Sequence, residues 1–182
     1  MKNAKYQKLT LVLVGGLVLL AAFLSLNRKY FIKELNFQQF ARIDFTLGEF
    51  QSGPYSLATM TSGRPTVLFF WSVDCPVCKG DLGFLNEVRN NPQYSSVEIS
   101  AVSIGETPRS LAQFFGPMAA EERPTFKVLM DSDRQVATNY EVFKTPETFL
   151  INKEGMVFKR YLGPLSEQKA EFLFELAKMA KN

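Results

Sequence analysis

Cys75 and Cys78 are the only cysteines in the chain, and they stand three residues apart in Trp71-Ser72-Val73-Asp74-Cys75-Pro76-Val77-Cys78. Such a pair can exchange thiols for a disulfide, hold half of a zinc site, or close a small structural loop. A zinc site needs two further ligands; with no histidine and no other cysteine in the chain, only a second copy could supply them. A structural disulfide across so short a loop would constrain the unfolded chain little. A peroxidatic cysteine would follow a Pro-x-x-Thr arrangement; Ser72 could imitate the threonine, but Phe69 stands where the proline would be. Thiol–disulfide exchange fits the pair best.

The flanking segments suggest how the pair is held. Thr66-Val67-Leu68-Phe69-Phe70 reads as a buried strand, and a helix is expected from Pro76 to about Arg89. With Cys75 as N-cap and Pro76 at the first helical position, the proline's missing N–H costs nothing. The free N–H groups of Val77 and Cys78 would then point at the Cys75 sulfur. Together with the helix dipole they favour a thiolate, which makes Cys75 the attacking cysteine. Cys78, one turn on, is placed to resolve the mixed disulfide.

At 182 residues and 46% hydrophobic, the chain suits one globular domain plus an extra segment. The net charge of +3 is mild and its lysines and arginines are scattered among acids, which gives no nucleic-acid stripe. The 17 phenylalanines fall mostly within apolar runs and read as core. Residues 9–26 carry no charge and as a helix would span about 27 Å, close to a hydrocarbon core. Lys2, Lys5 and Lys8 precede this run, Arg28, Lys29 and Lys33 follow it, and Tyr6 and Tyr30 fall near the expected interfaces. With neither a clean Ala-x-Ala site nor a lipobox cysteine, an uncleaved anchor is expected rather than a signal peptide. The organisation expected is a cytoplasmic tail at 1–8, a transmembrane anchor at 9–26, a connector at 27–42 and a folded domain at 43–182. Thiol chemistry outside the cytoplasm needs dedicated carriers, which places the domain on the outer face.

Within that domain, Phe45-Thr46-Leu47 and Tyr55-Ser56-Leu57 flank a turn containing Gly53-Pro54 and predict a hairpin. Strands are expected at 97–103, 126–130, 148–151 and 156–160, the last two joined at Asn152-Lys153-Glu154-Gly155. Thr107-Pro108 opens a helix to about Phe115, a short helix covers 134–140, and Ser166 caps a final amphipathic helix. Strands alternating with helices imply an α/β fold, a mixed central sheet covered on both faces.

A Cys-x-x-Cys after the first central strand and Thr145-Pro146 before the second hairpin resemble the thioredoxin superfamily. More narrowly the chain resembles the membrane-anchored TlpA/ResA-type thiol–disulfide oxidoreductases, over residues 43–182. The residues that carry the likeness are Ile43-Asp44-Phe45-Thr46-Leu47, the block 67–78, and Tyr140-Glu141-Val142-Phe143-Lys144-Thr145-Pro146 running into Phe149-Leu150-Ile151. The resemblance implies a thioredoxin-like fold with an N-terminal hairpin extension behind one transmembrane helix. It implies a cis bond before Pro146, with the Thr145 backbone pairing to an extended partner segment. Trp71 and Pro76 would line the partner-binding edge.

Three departures from the family bear on the chemistry. Asp74 replaces the usual aromatic before the first cysteine; its carboxylate either disfavours the Cys75 thiolate or points into screening water. Phe69 replaces a buried acid, leaving water or another carboxylate to take the Cys78 proton; Asp81 and Glu147 are candidates, with a solvated surface position as the alternative for both. Gly83 replaces a kinking proline and loosens the helix.

The activity expected is reduction of disulfides in extracytoplasmic proteins, of the cytochrome c maturation or copper-site assembly type, at a bacterial cytoplasmic membrane. A transmembrane thiol reductase would reset the pair, and no cofactor or metal is called for. An oxidase that donates disulfides would use the same residues. A copper(I) chaperone and a non-catalytic adaptor are the alternatives from other classes.

Overall fold

The computed structural model describes Val14, Gly16 and residues 43–181. The expected tail, anchor and connector at 1–42 therefore lie outside the described residues apart from those two. No helix among the described residues is long and apolar enough to cross a membrane.

The domain is organised on strand β3 (Thr66–Trp71), whose six residues are all buried. A strand apolar on both sides must be covered on both sides. Val67, Phe69 and Trp71 enter one core, and Leu68 and Phe70 enter the other. β3 lies between β4 (Glu98–Ile104), which runs parallel to it, and β6 (Glu147–Ile151), which runs antiparallel. Beyond β4 comes parallel β5 (Lys127–Asp131), and beyond β6 comes antiparallel β7 (Val157–Leu162). The N-terminal hairpin, β1 (Thr46–Glu49) with β2 (Pro54–Ser56), adds to the free side of β5. The seven-stranded sheet has the order β2-β1-β5-β4-β3-β6-β7, a mixed sheet as expected.

The first core is covered by helices α2 (Cys78–Asn90), α3 (Pro108–Phe115) and α5 (Lys169–Met179). Cys78, Leu82, Leu85 and Val88 recur at helical spacing and form the buried stripe of α2. Phe172, Leu176 and Met179 do the same for α5. α3 starts as expected: the Thr107 hydroxyl accepts from the Ser110 N–H at 3.1 Å, and Pro108 follows. The second core is covered by α1 (Leu57–Thr61), which starts at Leu57 where the hairpin strand was expected to continue, and α4 (Gln135–Asn139).

Two helix starts differ from expectation. α2 begins at Cys78 with Val77 in the cap position, two residues later than the expected Cys75 cap. α5 begins at Lys169 with Gln168 as cap, because Ser166 is spent inside a 3-10 turn, Leu165–Glu167.

The second core has an aromatic centre. The Phe149 ring is 5.5 Å from Phe70 and 5.2 Å from Tyr140, edge to face in both cases. Phe149→Ala removes a fully buried ring and should cost about 3–5 kcal/mol, read as a lower urea midpoint with the slope unchanged.

Candidate active site

Where β3 leaves the sheet, the chain makes two successive tight turns. The Cys75 N–H donates to the Ser72 carbonyl at 3.2 Å, and the Cys78 N–H donates to the Cys75 carbonyl at 3.2 Å. The sulfurs of Cys75 and Cys78 are bonded at 2.04 Å. This corrects the expected N-cap geometry at Cys75. With the pair oxidised, the turn from 75 to 78 closes through the Cys75 carbonyl, and α2 starts only at its end. The two cysteines are unequal in exposure: Cys75 retains 8% of its surface and Cys78 none. Of the two, Cys75 is the less enclosed, the order that the attacking and resolving roles require.

The segment before β6 forms the second wall. The Thr145–Pro146 bond is cis, as expected. The Thr145 hydroxyl lies 3.4 Å from the Ser72 hydroxyl, which ties this segment to the turn that carries Cys75. Val77, between the cysteines, shares a cavity of about 530 Å³ with Phe143, Thr145, Pro146, Leu162 and Pro164. Phe143 is 82% exposed, Leu162 64% and Val77 45%. Large side chains left in water beside a reactive disulfide form a surface suited to an apolar partner segment.

Glu147 is buried rather than solvated. It is 2% exposed, and its Oε1 accepts from the N–H groups of Phe143 at 3.2 Å and Lys144 at 3.3 Å. Its Oε2 accepts from Arg160 Nε at 2.7 Å, and the Arg160 guanidinium also donates to the Glu141 carbonyl at 2.8 Å. The carboxylate is committed to holding the loop in front of Pro146.

Asp81 is buried rather than solvated as well. The Leu165 N–H donates to its two oxygens at 3.1 Å each, fixing the loop next to Pro164 on the same cavity. Burial pushes its carboxyl above the ordinary aspartate range; the N–H groups of Leu165 and Ser166 pull the other way, and Glu167 adds to the rise. Asp81 therefore has the raised proton affinity that a proton-relay role would need.

Trp71 corrects another expectation. It is fully buried, with its ring 5.0 Å from Phe114 and 5.7 Å from Phe115, so it supports the site from beneath and presents nothing to a partner. Asp74 and Pro76 are exposed on the turn, where both can meet a partner or solvent. Phe69, in place of an acid, is buried in the first core.

The sequence did not single out Glu106. It is 7% exposed, and its Oε1 accepts from the Val73 N–H at 3.0 Å. Its only signal is an acid wedged in Gly105-Glu106-Thr107-Pro108, between a buried strand and a capped helix.

A mixed sheet with a Cys-x-x-Cys at the end of a central parallel strand, and a cis X-Pro bond before the neighbouring antiparallel strand, defines a thioredoxin-like protein. Residues 39–160 match the model of the AhpC/TSA family. The chain belongs to that family, among its thiol–disulfide oxidoreductases. It is 33% identical over 116 residues to the thiol-disulfide oxidoreductase ResA of Bacillus subtilis (strain 168), a match covering 64% of this chain and 63% of the relative. The chain thus spans just under two thirds of that relative's length. It is 32% identical over 125 residues to ResA of Geobacillus thermodenitrificans (strain NG80-2), covering 69% of each. The fold recurs in the crystal structure of StoA from Bacillus subtilis, with TM-score 0.60, 23% identity, and 73% and 98% of the two chains covered. It recurs also in that of a candidate thiol:disulfide interchange protein DsbE from Chlorobium tepidum, with TM-score 0.69, 22% identity, and 80% and 99% covered.

The raised affinity of Asp81 for its proton has a consequence for stability. A carboxyl raised by folding contributes stability that is complete below its ordinary value of 3.8 and is lost as the pH climbs through the folded value. Asp81→Asn, which keeps an acceptor for Leu165, should therefore raise the urea midpoint at about pH 7, and the gain should shrink towards about pH 4.

Proposed function

We propose that the chain reduces disulfides in proteins outside the cytoplasm, tethered to a bacterial cytoplasmic membrane by residues 9–26 and working through the domain at 43–182. The observation that carries the reading is the unequal cysteine pair, Cys75 keeping 8% of its surface and Cys78 none, with Val77 between them lining an apolar cavity. In the reductive direction the Cys75 thiolate attacks one sulfur of a partner disulfide. That bond breaks, a mixed disulfide forms, and one partner thiolate leaves and takes a proton. Cys78 then loses its proton and attacks the Cys75 sulfur, releasing the second partner thiol. Two electrons and two protons have passed to the partner, and Cys75–Cys78 is left oxidised, as in the structure.

Partner binding falls to the cavity wall. The partner's extended segment lies along Thr145 and Pro146, with an apolar side chain among Val77, Phe143 and Leu162. Pro76 and Asp74 meet it from the turn. Asp81 is the proton-affine carboxyl nearest in sequence to Cys78, one helical turn on. The relatives named thiol-disulfide oxidoreductase ResA support disulfide exchange by this pair. Haem-site or copper-site cysteines are the substrate class, and a transmembrane thiol reductase resets the pair.

Glutathione equilibration tests the direction. A reduction potential near about −270 mV or lower fits a dedicated reductant; one near about −120 mV would make the protein a disulfide donor instead. Cys78→Ser should trap a mixed disulfide with a protein substrate, visible on a non-reducing gel, whereas Cys75→Ser should trap none.

A further inference from the structure

The turn that delivers Cys75 leaves the sheet with a backbone donor unprovided for. Trp71 is the last residue of β3 paired with β4, opposite Ser103. Past it, the Cys75 N–H closes the turn on the Ser72 carbonyl. The Val73 N–H lies inside that turn, beyond the last strand pairing, and an unpaired backbone donor in a part-buried position is costly.

Glu106, from the loop between β4 and α3, supplies the acceptor at 3.0 Å. The glutamate is itself fixed. Its Oε2 accepts from the Ser110 hydroxyl at 2.6 Å, and its backbone carbonyl accepts from the Ser132 hydroxyl at 2.6 Å. On the other flank of the same turn, Ser72 meets Thr145. The exchange chemistry calls on Glu106 neither as acid nor as base, yet a nearly buried carboxylate is spent here on one backbone group.

We propose that Glu106 is a positioning residue of the redox site: its hydrogen bond to the Val73 N–H fixes the turn that carries Cys75 and so sets how readily Cys75 and Cys78 close into a disulfide. The inference rests on thiol exchange by that pair. Closing an intramolecular disulfide depends on the effective concentration of one sulfur at the other, and a held turn raises it. Loosening the turn therefore favours the dithiol.

Two substitutions separate the bond from the charge, which matters because Asp74, Arg134 and Lys144 line the same polar cleft. Glu106→Asp keeps the charge but is one methylene short of Val73. Glu106→Gln keeps the reach and an acceptor oxygen but loses the charge. In the 182-residue chain, Glu106→Asp should move the glutathione equilibrium about fivefold or more towards the dithiol, the worth of about one ordinary hydrogen bond. Glu106→Gln should stay within about twofold of the parent. The reverse pattern, equal shifts in both variants, or no shift in either would overturn the proposal. Should Glu106→Asp fail to fold, Ser110→Ala frees Oε2 and should move the equilibrium the same way by a smaller factor; no movement there would equally overturn it. Failure of the underlying function looks different: the parent protein would then not exchange with glutathione or a protein disulfide at all.

Discussion

The structure depends on one constraint, the exit of a doubly buried strand into solvent. Inside the sheet β3 is paired on both sides from Thr66 to Phe70, and its apolar side chains enter the two cores. At Trp71 both provisions end together. The residues that follow must turn, expose a sulfur and keep their donors satisfied, all within a few residues. Placing the reactive pair at this point gives it a rigid base on one side and open water on the other.

The loops around the pair solve that problem in one way three times. Glu106 takes the Val73 N–H, Asp81 takes the Leu165 N–H, and Glu147 takes those of Phe143 and Lys144. In each case a nearly buried carboxylate ends on loop backbone rather than in a surface ion pair. Hydrogen bonds to a charged acceptor are stronger than neutral ones, so a short loop can be held without a strand to lean on. Only Glu147 adds a cation, Arg160, which offsets the cost of burying its charge. For Asp81, burial raises the proton affinity and Glu167 adds to the rise.

Much of this was legible in the chain, and the limits were physical. Thr66 to Trp71 announced itself because a central strand needs no polar side chain, and Thr107-Pro108 because a cap and a first-turn proline are local chemistry. The hidden features were those whose partners lie far along the chain. Asp81 reads as a surface acid on an exposed helix face until Leu165, 84 positions on, is brought beneath it. Glu147 reads the same way until β7 delivers Arg160. The late start of α2 had another cause: the disulfide turn competes locally with the helix and takes its first two expected residues, Pro76 and Val77. Trp71 was misplaced by its position at a strand end, where alternation alone does not say that Phe114 and Phe115 close over it.

The hairpin at the far side of the sheet governs how copies of this protein tolerate crowding. A sheet with an open, flat border invites a neighbour to add its own strand. Here the border beyond β5 is covered by β1, and the outermost strand, β2, is three residues long and begins with Pro54, which has no N–H to offer. The opposite border, β7, carries Lys159 and Arg160 and pairs irregularly with β6 at Leu150 and Ile151. Among the described residues neither margin is a template for fibrous growth, so strand addition does not compete with docking at the apolar cavity beside the cysteines.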